Sequence, residues 1–122
     1  MEAILTRDSV CAADDMDAPH KQRCVIPDAC SWEDLTLRLL QDAALPRIAG
    51  GTATWTLASN IPIAVAAQQW EQPRLLRLSD TDWDRLATTG NPIRFHWSYC
   101  AQLDPDVVFE ALDRVRFMPV TN

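Results

Sequence analysis

The clearest pattern along the chain is a strict alternation of apolar and polar residues close to its C-terminal end. Residues 93–99 alternate without interruption, and their apolar members are Ile93, Phe95, Trp97 and Tyr99. Successive side chains of a β-strand point to opposite faces of a sheet, so this spacing predicts a strand with one aromatic face. We expect that face to lie in the core.

Two further alternating segments are adjacent in the middle of the chain. Residues 52–59 alternate threonines with apolar residues, and a second apolar alternation runs from Ile61 to Ala67. Asn60 between them suits a tight reversal, so the segment 52–69 predicts an antiparallel hairpin. Pro62 has no backbone N–H, and we expect it where the ladder needs no donor.

Three segments carry the signals of helix starts. Ser31 precedes a helix predicted from Trp32 to about Ala44, with one apolar stripe and acidic residues in its first turn. Thr81 and Asp84 have the spacing of a capping pair and predict a short second helix. The sequence Asp104-Pro105-Asp106 predicts the start of the last helix, because proline is well suited to the first helical position.

The remaining strand signals are shorter, and they cover Ala3–Thr6, Gln22–Ile26 and Arg74–Leu78. The chain contains no internal repeat or linker-like stretch, so residues 1–122 are predicted to form a single domain. This order of elements predicts the α+β class, with a largely antiparallel sheet and two main helices packed on one face. The hairpin, helix and return strands of the N-terminal half resemble a β-grasp.

The charge of the chain restricts the classes of partner. Acidic residues outnumber basic residues by 17 to 11, giving a net charge of −6. This charge disfavours nucleic acid and anionic membranes and favours a basic protein. The longest apolar stretch, Ile61 to Ala67, is far shorter than the ~20 residues of a membrane span. Residues 1–5 lack the features of a secretory signal, so we expect a cytoplasmic protein.

The most distinctive polar stretch lies between the first two predicted strands and contains Asp14, Asp15, Asp17 and His20. Carboxylates at this spacing repel one another unless water, a metal ion or a cationic partner neutralises them. The stretch lacks the fixed spacing, the glycine and the closing glutamate of an EF-hand calcium loop. We therefore expect a solvated or partner-binding acidic loop, and we predict no metal and no cofactor.

A second candidate surface follows the predicted hairpin, where Gln69, Trp70 and Glu71 combine polar side chains with an indole. This composition is typical of an interface hot spot. The alternative is a strand end at which the tryptophan covers the core. Both interpretations place the three residues at the surface or its margin.

The chain shows no recognisable catalytic set. His96 lies on the polar face of the aromatic strand, where the alternatives are a surface or half-buried histidine and a general base. No glycine-framed serine accompanies it, and a pairing of His96 with Cys100 has no sequence feature to support it. The four cysteines match neither a C-x-x-C pair nor a zinc module, so we expect free thiols.

Size, acidity, tryptophan content and the lack of a catalytic set together favour a binding protein over an enzyme. In these features the whole chain resembles bacterial immunity proteins, which inhibit the toxins of contact-dependent inhibition and other polymorphic toxin systems. The resemblance implies a one-to-one complex with a basic toxin domain, often a nuclease. The alternatives are a metal-dependent hydrolase that uses the stretch from Asp14 to His20 together with His96, and an accessory module that pairs through a sheet edge.

Overall fold

The computed structural model describes residues 2–9, 21–27, 30–88 and 92–117. Within these ranges the chain forms six strands and three helices. The strands are β1 (Glu2–Arg7), β2 (Lys21–Val25), β3 (Thr54–Ser59), β4 (Ile61–Ala67), β5 (Arg74–Leu75) and β6 (Ile93–Tyr99). The helices are α1 (Trp32–Ala43), α2 (Asp80–Thr88) and α3 (Pro105–Phe117).

All six strands form one mixed sheet with the order β2-β1-β6-β3-β4-β5. Every pair of neighbours is antiparallel except β1 and β6, which run parallel. The α+β class and the largely antiparallel sheet are therefore confirmed. The hairpin β1–β2, followed by a helix that packs on the sheet, agrees with the β-grasp-like arrangement expected for the N-terminal half.

The main core lies between α1 and one face of the sheet. Residues paired directly across neighbouring strands share a face, which places Leu57 and Trp97 together. Trp97 is fully buried, and its indole Nε1 donates to the carbonyl of Leu39 in α1 at 3.1 Å. Phe95 is 1% exposed on the same face, so the predicted aromatic wall does face the core.

The last helix covers the opposite face of the sheet. Thr54 is fully buried, and its Oγ1 donates to the carbonyl of Leu103 at 2.6 Å just before α3 begins. Arg74 is paired with Val65 on this face, and it contacts Asp106 of α3 at 3.0 Å. The two main helices, expected together on one face, thus divide between the two faces. On the threonine side of β3, Thr54 is buried and Thr56 is half-buried.

The helix starts are built as the sequence indicates, with one correction. The Ser31 hydroxyl accepts from the backbone N–H of Asp34 at 3.1 Å, which caps α1. The second helix is capped by Ser79, which exchanges hydrogen bonds with Asp82, and it begins at Asp80. The predicted pair of Thr81 and Asp84 is therefore wrong by two residues, because Ser79 and Asp82 have the same spacing.

The central hairpin has the predicted reversal. Asn60 adopts a φ of 63°, the left-handed conformation that asparagine tolerates better than most residues. The register between β3 and β4 shifts between Leu57 and Ala58, and Pro62 lies opposite Ala58 next to this irregularity. The strand expected at Arg74–Leu78 is shorter, since only its first two residues pair with β4.

Candidate functional site

The N-terminal ends of α1 and α2 meet through two tryptophans. Trp32 is the first residue of α1, and Trp83 lies one turn into α2. Their ring centroids are 4.9 Å apart with an interplanar angle of 84°, an edge-to-face contact of the kind that aromatic rings prefer. Both side chains are half-buried, so each ring leaves part of its surface open to solvent.

Four exposed carboxylates lie within three residues of one or the other tryptophan along the two helices. Glu33 and Asp34 belong to the first turn of α1, and Asp80 and Asp84 belong to α2. Carboxylates in the first turn of a helix interact favourably with its dipole, so both helix starts place negative charge here. We call the six residues Trp32, Glu33, Asp34, Asp80, Trp83 and Asp84 the tryptophan–acid surface.

Three of the four carboxylates of this surface, those of Glu33, Asp34 and Asp80, are available to a cation. Within the described part of the chain, Glu33, Asp34 and Asp80 form no ion pair. Asp82 differs, because it is 8% exposed and is held in the cap of α2 by Ser79. Carboxylates beside open indole rings suit lysine and arginine side chains, which bind to both.

This surface was not evident from the sequence. In the sequence, the acidic residues of α2 fit the start of a helix, and a tryptophan by itself gives no sign of a surface position. The sequence feature that could have indicated this surface is a tryptophan next to acidic residues at each of the two helix starts. Only the packing of α1 beside α2 joins them.

The first predicted site falls outside the described residues. Asp14, Asp15, Asp17 and His20 all lie in the range 10–20, so their role as a solvated or partner-binding loop stays a prediction. Among the residues that the structure describes, no group of three or more histidines, cysteines, aspartates or glutamates is arranged to hold a metal ion.

The second predicted site lies after β4. Gln69 and Glu71 are exposed, and Trp70 is half-buried. The guanidinium of Arg74 lies 4.4 Å from the centroid of the Trp70 ring, which is a cation–π contact. A groove of about 350 Å³ between α1 and β5 is lined by both Glu33 and Arg74.

His96 is held on both sides by residues at the end of β1. Its Nε2 lies 2.7 Å from Oδ1 of Asp8, and its Nδ1 lies 2.6 Å from Oγ1 of Thr6. The other carboxylate oxygen of Asp8 accepts the backbone N–H of Tyr99 at 2.8 Å. The side chains of His96 and Asp8 are 41% and 42% exposed.

Both ring nitrogens of His96 thus have partners, Asp8 and Thr6. Together with the contact of Asp8 with Tyr99, these contacts join the ends of the parallel strands β1 and β6. Cys100 is not its partner: the thiol lies 4.0 Å from Oγ1 of Thr56 and 3.9 Å from the carbonyl of Ser98. The half-buried position expected for His96 is confirmed. A pairing with Cys100 is not formed.

The three described cysteines are free thiols, as expected. Burial raises the pKa of the Cys24 thiol, and the nearby carboxylate of Asp42 raises it further. Burial also raises the pKa of Cys30, followed by the effect of Asp34. A raised pKa keeps a thiol protonated and weakly nucleophilic, which is the behaviour of a structural cysteine.

Comparisons with known proteins identify no relative: no protein-family model, no curated protein and no solved structure matches this chain. Among the described helices, none combines the length and the apolar character needed to cross a membrane. A functional conclusion must therefore come from the geometry and charge of the chain itself.

Proposed function

We propose that this protein is a small acidic binding protein of the cytoplasm that neutralises a basic protein partner, and that the partner is a toxin domain of the kind that immunity proteins inhibit. The observation that carries the proposal is the tryptophan–acid surface. Two half-buried indole rings are in contact there, and four exposed carboxylates lie within three residues of them along the two helices.

The two kinds of side chain supply different parts of an interface. Tryptophans at the centre of an interface provide large apolar contact and are frequent hot spots. Carboxylates around them provide attraction to a basic surface, which speeds association and excludes acidic proteins. The net charge of −6 acts in the same direction at longer range.

The expected strength of the electrostatic part follows from Coulomb's law. A carboxylate about 10 Å from a partner cation contributes roughly 0.4 kcal/mol in water. Four such carboxylates acting on one cation sum to roughly 1.6 kcal/mol, which corresponds to more than tenfold in affinity at low salt. Salt at 0.5 M screens most of this attraction.

The test begins with capture of partners from a lysate of cells that express the protein, followed by identification of the retained protein. The site variant carries Glu33→Gln, Asp34→Asn, Asp80→Asn and Asp84→Asn. The matched control removes the same number of charges elsewhere, through Glu2→Gln, Asp104→Asn, Asp106→Asn and Glu110→Gln, all at exposed residues.

We expect the wild type and the control to retain one basic protein at low salt, and the site variant to lose most of it. The purified partner should also lose its toxic activity when mixed with the wild type at equal concentration. Retention of a basic protein by the site variant as strongly as by the control would contradict the assignment of this surface. Capture of acidic proteins alone would contradict the proposed function.

A further inference from the structure

The last helix, α3, carries an apolar stripe that is open to solvent. Val107, Ala111 and Val115 follow one another at intervals of four residues, so they lie on one side of the helix. All three are exposed, Val107 to 61% and Val115 to 64%. The helix packs on β4, and its residues Val108 and Leu112 are half-buried. The exposed stripe is therefore additional to the apolar residues that α3 uses within the fold.

Exposed apolar side chains are concentrated at this helix. Within the described part of the chain, the large hydrophobic residues that are exposed are Val25, Leu37, Leu103, Val107 and Val115. Three of these five lie on α3 or directly before it. Single exposed apolar residues are ordinary at a protein surface, whereas a contiguous group of them marks a surface that meets another molecule.

The two ends of the stripe carry opposite charges. Asp104 lies directly before α3, is exposed, and forms no ion pair with any described residue. Arg114 lies near the other end with its side chain 77% exposed, and it contacts Glu110 one turn earlier at 3.1 Å. Exposed ion pairs within a helix contribute little to stability, so Arg114 can also bind a carboxylate of another molecule.

This order of charges indicates which molecule covers the stripe. A uniformly acidic partner would repel Asp104, and a uniformly basic partner would repel Arg114. A second copy of α3 in the antiparallel direction presents the opposite order, so Arg114 of each copy approaches Asp104 of the other. Ala111 lies midway between Val107 and Val115. A two-fold axis at Ala111 therefore places Val107 of each copy against Val115 of the other, and the small alanine lets the helices approach closely.

We infer that the protein forms a symmetric dimer through antiparallel α3 helices. The stripe from Val107 to Val115 is only about 12 Å long, so the interface belongs to the small class that forms weak, reversible complexes. The dissociation constant of the dimer is expected to be on the order of 100 μM. The inference uses no residue of the tryptophan–acid surface, so it can fail while the proposed function holds, and the reverse.

Sedimentation equilibrium at protein concentrations from about 10 μM to about 1 mM tests the dimer. The site variants are Val107→Ser and Val115→Ser. The matched control is Val25→Ser, because Val25 is 65% exposed and lies in β2 instead of α3. We expect the wild type and the control to dimerise alike. Each site variant should raise the dissociation constant at least about tenfold, since a symmetric dimer loses two buried valines for each substitution.

Two results would overturn the inference. The first is a wild-type protein that stays monomeric over the whole concentration range, and this result does not depend on the folding of any variant. The second is a dimer that Val107→Ser and Val115→Ser weaken no more than Val25→Ser does, because another surface would then form the contact.

Cross-linking through introduced cysteines tests the direction of the helices. Val107→Cys and Val115→Cys are oxidised separately and as an equal mixture, and the wild type gives the background from the native thiols. We expect covalent dimers above this background in the mixture alone, because the antiparallel pair brings residue 107 of one copy to residue 115 of the other. Cross-linking of Val107→Cys with itself as strongly as in the mixture would overturn the antiparallel arrangement.

Discussion

The two fully buried tryptophans permit a matched test of what a hydrogen bond contributes in this core. Trp55 and Trp97 are 2% and 0% exposed, on the same face of the sheet. Only Trp97 donates to an acceptor, the carbonyl of Leu39. Replacing either tryptophan by phenylalanine removes the same part of the indole ring, so both variants lose the same amount of buried apolar surface.

That shared loss corresponds to about two methylene groups, or roughly 1.6 kcal/mol. Trp97→Phe also loses a hydrogen bond of about 1 kcal/mol net, for a total near 2.6 kcal/mol. In the wild type, the buried Trp55 donor without an acceptor costs about 1–3 kcal/mol. Trp55→Phe removes this cost, which offsets most of the stability that the variant loses with its buried apolar surface. The variants should differ by at least about 2 kcal/mol, equivalent to roughly 8 °C in Tm.

The assay is urea unfolding followed by far-UV circular dichroism, with the wild type as reference. Equal slopes against urea would show that the three proteins expose the same surface on unfolding. We expect Trp97→Phe to unfold at clearly lower urea than Trp55→Phe. Equal losses, or a larger loss in Trp55→Phe, would refute the reasoning, because the Trp55 donor would then have a stabilising partner.

Three further predictions concern stability. Ser31→Ala removes the cap of α1 and should lower the free energy of unfolding by about 1 kcal/mol, whereas Ser31→Asp should restore it. Burial raises the pKa of the Cys24 thiol above its value in the unfolded chain. The contribution of this thiol to stability is therefore complete below about pH 8.5 and is lost as the pH rises through the folded pKa. The wild type should lose more free energy of unfolding between pH 8 and pH 10 than Cys24→Ala. Arg77→Lys replaces a two-bond contact with Asp113 at an exposed position and should cost about 0.5 kcal/mol or less by thermal unfolding.

The elements that the sequence predicted well are those with a local cause. The alternation of 93–99 identifies β6 because its two faces differ sharply in burial. Ser31 and Asp34 identify the start of α1 because the cap is made within four residues. The start of α2 shows the limit of this reasoning, since two overlapping pairs satisfy the same spacing and only the contacts select Ser79 with Asp82.

Features that depend on distant contacts could not be predicted. The parallel pairing of β1 with β6 joins the two ends of the chain, and no short-range pattern encodes it. The candidate surface depends on the contact between Trp32 and Trp83, which arises only when α1 and α2 pack together. Thr54 looks like a solvent-facing residue in its alternating segment, yet it is buried by the approach to α3.

The most direct test of the central claim is the association rate with the captured basic protein, measured by stopped-flow fluorescence at 20 mM and 500 mM NaCl. Wild-type protein and the control that lacks four charges elsewhere should associate fast at low salt and much more slowly at high salt. The site variant with Glu33, Asp34, Asp80 and Asp84 neutralised should be slow at low salt and nearly insensitive to salt. If the site variant and the control associate at the same rate at low salt, the tryptophan–acid surface is not the one that meets the partner.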